Sequence, residues 1–192
     1  MNTLPLQIIG AASLLATLLA LWISTRAKGL RHAILAADRV LTGLASALAV
    51  AALAVACLAG MWQVIARFAT ETPAVWSEAL VRMALIWMAL LGLAVALRVG
   101  SLVSIDAAHR YSTGALRRGL EAASLAASLS LMGVLFWFGW IMAERVQFQE
   151  MAGLEVSMSW GYAAIPVGAL FSMFGAFANF LDRRSDELEM AV

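Results

Sequence analysis

The stretch that decides the fold is WSEALVRMALIW, Trp76–Trp87. It opens on an aromatic residue, sets Glu78 and Arg82 four positions apart, and then runs without further charge through Val95. Residues four apart share one face of an α-helix, so the two charges stand together at the head of an apolar run. Spanning the hydrocarbon of a bilayer takes roughly 20 mostly apolar residues as a helix, because unpaired backbone groups are too costly in lipid. The run Ala79–Leu97 meets that requirement.

Four other runs meet it as well: Leu4–Ile23, Leu41–Ile65, Leu120–Met142 and Trp160–Leu181. Composition agrees, since 63% of the 192 residues are hydrophobic and 13% are charged, against about 25% charged in a soluble domain. The net charge of +1 gives nucleic acid nothing to bind. The single cysteine, Cys57, lies inside an apolar run and has no partner for a disulfide, a CxxC motif or a metal site. His32 and His109 both fall outside the runs, which argues against a membrane haem protein with axial ligands in its spans.

No Lys or Arg precedes the first run, so it reads as a retained span and not as a signal peptide. Orientation follows from the basic residues. If five helices alternate, one side holds Arg26, Lys28, Arg31, Arg39, Arg98, Arg110, Arg117, Arg118, Arg183 and Arg184, which is 10 of the 13. The other side holds Arg67, Arg82 and Arg145. Basic loops stay in the cytoplasm. The expected N-terminus is therefore outside and the C-terminus inside. Trp62, Phe68, Trp76, Trp137, Trp140, Trp160 and Tyr162 gather near the outer boundary, where amphipathic rings are favoured.

Two connections carry structure of their own. In Ser104–Thr113, SIDAAHRYST, Ser104 is a helix cap and Asp106 falls in the first turn. The spacing predicts a short amphipathic helix on the cytoplasmic surface, ended by Gly114. Between spans four and five, Glu144–Ser159 is polar and breaks at Gly153. Pro166, near the start of span five, is a candidate bend.

No Ser/His/Asp set, HExxH pair or Gly-rich phosphate loop is present. The span centres are Ala, Leu, Val and Met with occasional Ser or Gly, whereas transport through this chain alone favours ionisable groups at mid-membrane. The sequence therefore argues against an enzyme and against a self-sufficient carrier, and it offers no cofactor site. It has small residues at close-packing spacing instead: Gly43, Ala47 and Ala51; Ala52, Ala56 and Gly60; Ala122, Ala126 and Ser130; Gly168, Ser172 and Ala176. In span three the Glu78–Arg82 face continues through Leu85, Ala89, Gly92 and Ala96, while Leu80, Met83, Ile86, Leu90 and Leu97 make a larger, lipid-like face. Arg67 ends span two, where it is a candidate to meet Glu78 across the bundle. The simpler alternative is that Arg82 reaches the outer headgroups and Glu78 is a solvated first-turn acid.

These residues resemble a known family. Arg67-Phe68, then Trp76-x-Glu78 with Arg82, Trp87, Gly92, Arg98 and Ser104-Ile105-Asp106 are similar to the small membrane subunit of TRAP transporters, the DctQ-like family. Ile165-Pro166-Val167-Gly168 is similar to that family's last helix. The likeness covers about Arg39–Asp182. Ala79 stands where the family has a second Glu, and Leu102 where it has a His. The resemblance implies a four-helix domain over residues 32–192, with residues 1–31 an additional transmembrane helix. It implies a non-catalytic scaffold in the bacterial inner membrane, N-terminus periplasmic and C-terminus cytoplasmic. The implied partners are a large membrane subunit that carries out sodium-coupled uptake of an organic acid and a periplasmic substrate-binding protein. On this reading Arg67, Trp76, Glu78, Arg82, Ala89, Gly92, Ala96 and Asp106 are the candidate structural and partner-facing residues. An anchor subunit of another multi-subunit inner-membrane complex is the alternative that composition alone leaves open.

Overall fold

The computed structural model describes residues 4–26, 28–69, 74–99 and 115–190, and each of the five apolar runs forms a helix in it. Helix α1 spans Leu4–Arg26, α2 Lys28–Ala69, α3 Val75–Val99 and α4 Ala115–Arg145. A single turn, α5 (Ser159–Tyr162), leads into α6 (Ala164–Met190). Among the described residues, five helices are long and apolar enough to cross a membrane. The protein is thus an all-α, multi-pass membrane protein with four spans and one more at the N-terminus. The amphipathic helix expected at Ser104–Thr113, with Asp106, lies outside the described residues.

Helix α2 departs most from the run-by-run reading. Hydropathy starts the span at Leu41, but the helix starts at Lys28. The intervening KGLRHAILAADRV has one glycine, no proline and several strong helix formers. A charge ends an apolar run without ending a helix. The 42 residues of α2 rise about 63 Å at ~1.5 Å per residue.

Helix α6 is central, packing on α3 and α4 and touching α1 and α2. Its buried face is small: Gly168, Ser172, Gly175 and Ala176. A Cβ on Gly168 would stand 2.7 Å from the Leu90 Cβ, and one on Gly175 2.8 Å from the Ala94 carbonyl oxygen. The two backbones therefore nearly touch, which is how helices gain contact in lipid, where water exclusion gives no drive. Helix α2 lays Ala45, Ala49, Ala56, Ala59 and Ala66, all buried, along one seam. Of the small-residue rows, Gly168–Ser172–Ala176 is internal, while Gly43, Ala47 and Ala51 are exposed and Gly43 has nothing within 4 Å of a would-be Cβ.

Helix α1 shares this core. Ala20 is buried with Leu125, Leu129, Ala176 and Phe180, and Ile9 fills the space beside Gly133 on α4. The buried hydroxyls of Ser13 and Thr17 donate to the carbonyls of Gly10 (2.9 Å) and Ser13 (2.5 Å), so neither is stranded in the apolar layer.

The α4–α5 connection folds back on itself. The Met151 N–H donates to the Val156 carbonyl and the Met158 N–H to that of Gln149, both at 2.8 Å. Gly153 turns its tip at φ +86°, and a Cβ there would lie 2.9 Å from Val75 Cγ1. Both the turn and the close approach require glycine. Pro166 sits in the first turn of α6, where its missing N–H costs nothing. The interruption of span five lies instead at Ala163, between α5 and α6.

Two glycine substitutions separate these environments by sign. Gly43→Ala is expected to stabilise, by about 0.5–1 kcal/mol of recovered helix propensity. Gly168→Ala is expected to destabilise, at roughly the 1–3 kcal/mol of an overpacked core. Thermal unfolding of the detergent-solubilised chain reads both, and a raised midpoint for Gly168→Ala would refute the close α3–α6 approach.

Candidate functional site

Of the residues singled out in the sequence, Glu78, Arg82, Ala89, Gly92 and Ala96 share one edge of α3. Arg82 Nη2 donates to Glu78 Oε1 at 2.8 Å, with the side chains 71% and 60% exposed. The pair is thus a solvated i,i+4 bridge, contributing about 0.3–0.5 kcal/mol. Arg67 is exposed at the end of α2, and the ion pair of Glu78 is with Arg82, not with Arg67. Trp76 is exposed in the first turn. Ala79, by contrast, is buried, so a second carboxylate at that position would point into the protein.

Below the ion pair, Leu85 and Ala89 are exposed and Gly92 and Ala96 half-buried. A Cβ on Gly92 would meet nothing within 4 Å. This chain therefore leaves the small edge of α3 open. The expectation that the larger face of α3 is lipid-like is overturned at two positions. Leu97 is 7% exposed and packs with Met132 and Ala169, and Leu90 sits against Gly168. The reason is that the small partners lie on α6, so the large residues of α3 fill its grooves. Trp87 fixes the level of α3, its indole N–H donating to the Trp160 carbonyl at 3.1 Å.

Glu78 and Arg82 also rim a pocket of about 430 Å³ between the head of α3, the α4–α5 turn and the start of α6. Its walls are mainly apolar, among them Met83, Ile86, Met158 and Ile165. Among the described residues, no group of three or more His, Cys, Asp and Glu is placed to hold a metal ion.

The far end of the bundle holds a cluster that the sequence reading passed over. Arg98, at the end of α3, bridges Asp38 of α2 through Nε and Asp182 of α6 through Nη2, the latter at 2.9 Å. Thr42 Oγ1 donates to the other Asp38 oxygen at 3.2 Å. Asp38 is 3% exposed. Asn179 Nδ2 donates at 3.0 Å to the Leu97 carbonyl, one of the carbonyls that the end of α3 leaves without an intrahelical partner. A signal was available: Arg98 directly follows the run ending at Leu97, Asp182 directly follows Leu181, and Asp38 stands three residues before Leu41. Opposite charges at run ends on one side of a membrane are candidates to pair.

Five apolar helices, small packing faces and charges confined to the two ends define a membrane subunit built to pack, with its polar groups at the boundaries. The chain belongs to the family of the DctQ component of tripartite ATP-independent periplasmic transporters, whose family model matches residues 56–186. The match begins within α2 and ends within α6. The chain is also 32% identical over 113 residues to the sialic acid TRAP transporter small permease protein SiaQ of Vibrio cholerae serotype O1 (strain ATCC 39315 / El Tor Inaba N16961). That alignment covers 59% of this chain, and the chain spans 65% of the length of this curated relative.

The Arg98 cluster is testable by itself. Arg98→Ala leaves the buried Asp38 carboxylate without its counter-charge, a change that costs about 3–5 kcal/mol at buried pairs. Arg98→Lys keeps the charge but not a fork able to bridge two carboxylates, so it is expected to recover only part of the loss. Thermal unfolding in detergent orders the three proteins, and an Arg98→Ala midpoint equal to wild type would show that the cluster contributes nothing.

Proposed function

We propose that this chain is the small, non-catalytic membrane subunit of a tripartite transporter in a bacterial inner membrane. It packs beside a large membrane subunit that takes up an organic acid with sodium, and a periplasmic substrate-binding protein docks on the assembled pair. Residues 32–192 form the family domain and residues 1–31 an added helix, a division supported by a family match that lies wholly within the former. The distribution of basic residues supports a periplasmic N-terminus and a cytoplasmic C-terminus. The name of the relative supports a carboxylate substrate of the sialic acid kind.

The observation that carries the packing role is the open edge of α3. Glu78, Arg82 and Ala89 are exposed, and among the described residues nothing stands within 4 Å of where a Cβ on Gly92 would lie. A small-residue edge with a charge pair at its head suits a partner helix, with packing below and register above. Arg67 and Trp76 flank it at the same end.

Purification of this chain from its own membranes in mild detergent is expected to bring down a larger polytopic subunit. Sodium-dependent uptake by liposomes holding this chain alone would sink the reading. Within the assembly, Gly92→Leu is expected to lower recovery of the large subunit while leaving the unfolding midpoint of the isolated chain unchanged. Leu90→Ala is expected to do the reverse, because Leu90 packs internally against Gly168. Equal effects of the two on co-purification would show that the α3 edge is not the contact. Glu78→Ala and Arg82→Ala are expected to be less than additive in the same assay, and full additivity would mean the pair does not act as a unit.

A further inference from the structure

We propose that the Asp38–Arg98–Asp182 cluster is a register lock. It fixes where the long α2 leaves the hydrocarbon, and so keeps residues 28–37 outside the bilayer core as a segment of their own.

The seam between α2 and α3 cannot fix that position unaided. The buried apolar residues of α2 are Ala45, Ala49, Ala56, Ala59 and Ala66, and Ala52 continues the same row. Ala45, Ala52, Ala59 and Ala66 recur every seventh residue, as do Ala49 and Ala56. Sliding α2 along α3 by seven residues, about 10 Å, brings alanine back onto most of the same contacts. An apolar seam that repeats itself specifies a face but not a register, and a single buried polar contact within such a seam is the best-attested means of specifying one.

Asp38 has the properties of that contact. It is the sole carboxylate in the 42 residues of α2, it is buried, and it pairs with Arg98. Arg98 in turn reaches Asp182. Arg98 and Asp182 each directly follow the end of an apolar run, so the cluster marks the plane where α3 and α6 leave the apolar layer. Tying Asp38 into that plane sets the exit of α2. From Asp38 to Ala69 the helix rises about 46 Å, enough for the full bilayer of ~40–45 Å with its headgroups. Helix α1 agrees: Ala20, near its C-terminal end, packs level with Ala176 and Phe180, close to Asp182. The chain thus descends past this plane on α1 and returns through residues 28–37, which include the exposed Leu30 and His32. A slip by one or two turns leaves Asp38 either in the apolar layer or away from Arg98, and both are costly.

Cysteine accessibility in the full-length chain tests this in a Cys57→Ser background, in membranes opened to reagent on both faces. Ala33→Cys and Ala36→Cys are expected to react with a charged maleimide about tenfold or more faster than Leu44→Cys and Leu48→Cys, because apolar surroundings disfavour both thiolate and reagent. Leu44 and Leu48 are exposed on the surface of this chain, so its own packing does not shield them. Adding Asp38→Asn is expected to bring Leu44→Cys close to the rate of Ala36→Cys, and the swap Asp38→Arg with Arg98→Asp to restore the difference. Equal rates at 36 and 44 in the unsubstituted cluster, or an unchanged pattern with Asp38→Asn, would overturn the proposal. If Asp38→Asn yields no folded protein, recovery of fold and pattern by the swap supports the lock, and a swap as poor as the single substitution overturns it.

Discussion

Everything in this fold depends on how closely α6 can approach α3. In lipid, two helices gain nothing by hiding apolar surface from water, so attraction must come from contact itself. Gly168 and Gly175 supply it, opening room for Leu90 and for the Ala94 carbonyl. With α6 seated, its other faces receive α4, where Ile165 and Pro166 crowd Gly139, and α1, through Ala176 and Phe180. The Gly153 turn then rests on Val75 and ties the head of α3 to the α4–α5 connection. Each of these contacts except the one with α1 places a glycine opposite a large side chain or a backbone, so shape chooses the pairing there.

Charge has a different task at each end. At the Glu78 end the pair is intrahelical and mostly solvated. It links no two helices of this chain and leaves an edge open. At the Arg98 end one guanidinium joins three helices. Arginine suits this position because its planar fork presents donors in two directions, which an ammonium cannot hold in fixed geometry. The same residue type thus joins three helices at one end and pairs within its own helix at the other. The difference lies in whether carboxylates on neighbouring helices are within reach.

The helices were legible in the sequence because spanning a bilayer imposes a length that few segments meet by accident, and five runs met it. What was illegible has a common physical cause. Hydropathy reports where a helix is apolar, not where it ends, so the first turns of α2, up to Val40, were read as a connection. Face assignment in α3 failed for a related reason. On an isolated amphipathic helix, small residues suggest the contact and large ones the lipid. Here the glycines of α6 reverse that, and Leu90 and Leu97 turn inward. The charge cluster was missed because Asp38, Arg98 and Asp182 are far apart in sequence, and each by itself looks like an ordinary helix-end charge.

That separation bears on how an alanine-rich membrane protein attains a single structure. Alanine seams pack closely but are nearly self-similar along their length, so they lower the energy of many alignments at once. Specificity must come from features that do not repeat. This chain has two kinds: glycines matched to one bulky neighbour each, and charges matched to one partner each. The glycines fix α6 on α3 and α4. Helix α2 touches α3 chiefly through alanine, and among its described residues the cross-helix ion pair is made by Asp38. The helix with the most repetitive seam is therefore the one that carries a buried acid. A buried ion pair contributes little net stability compared with apolar packing, but it excludes alternatives that apolar packing tolerates. In a bundle held by a repeating alanine seam, excluding a slipped α2 matters more than the stability the pair itself adds.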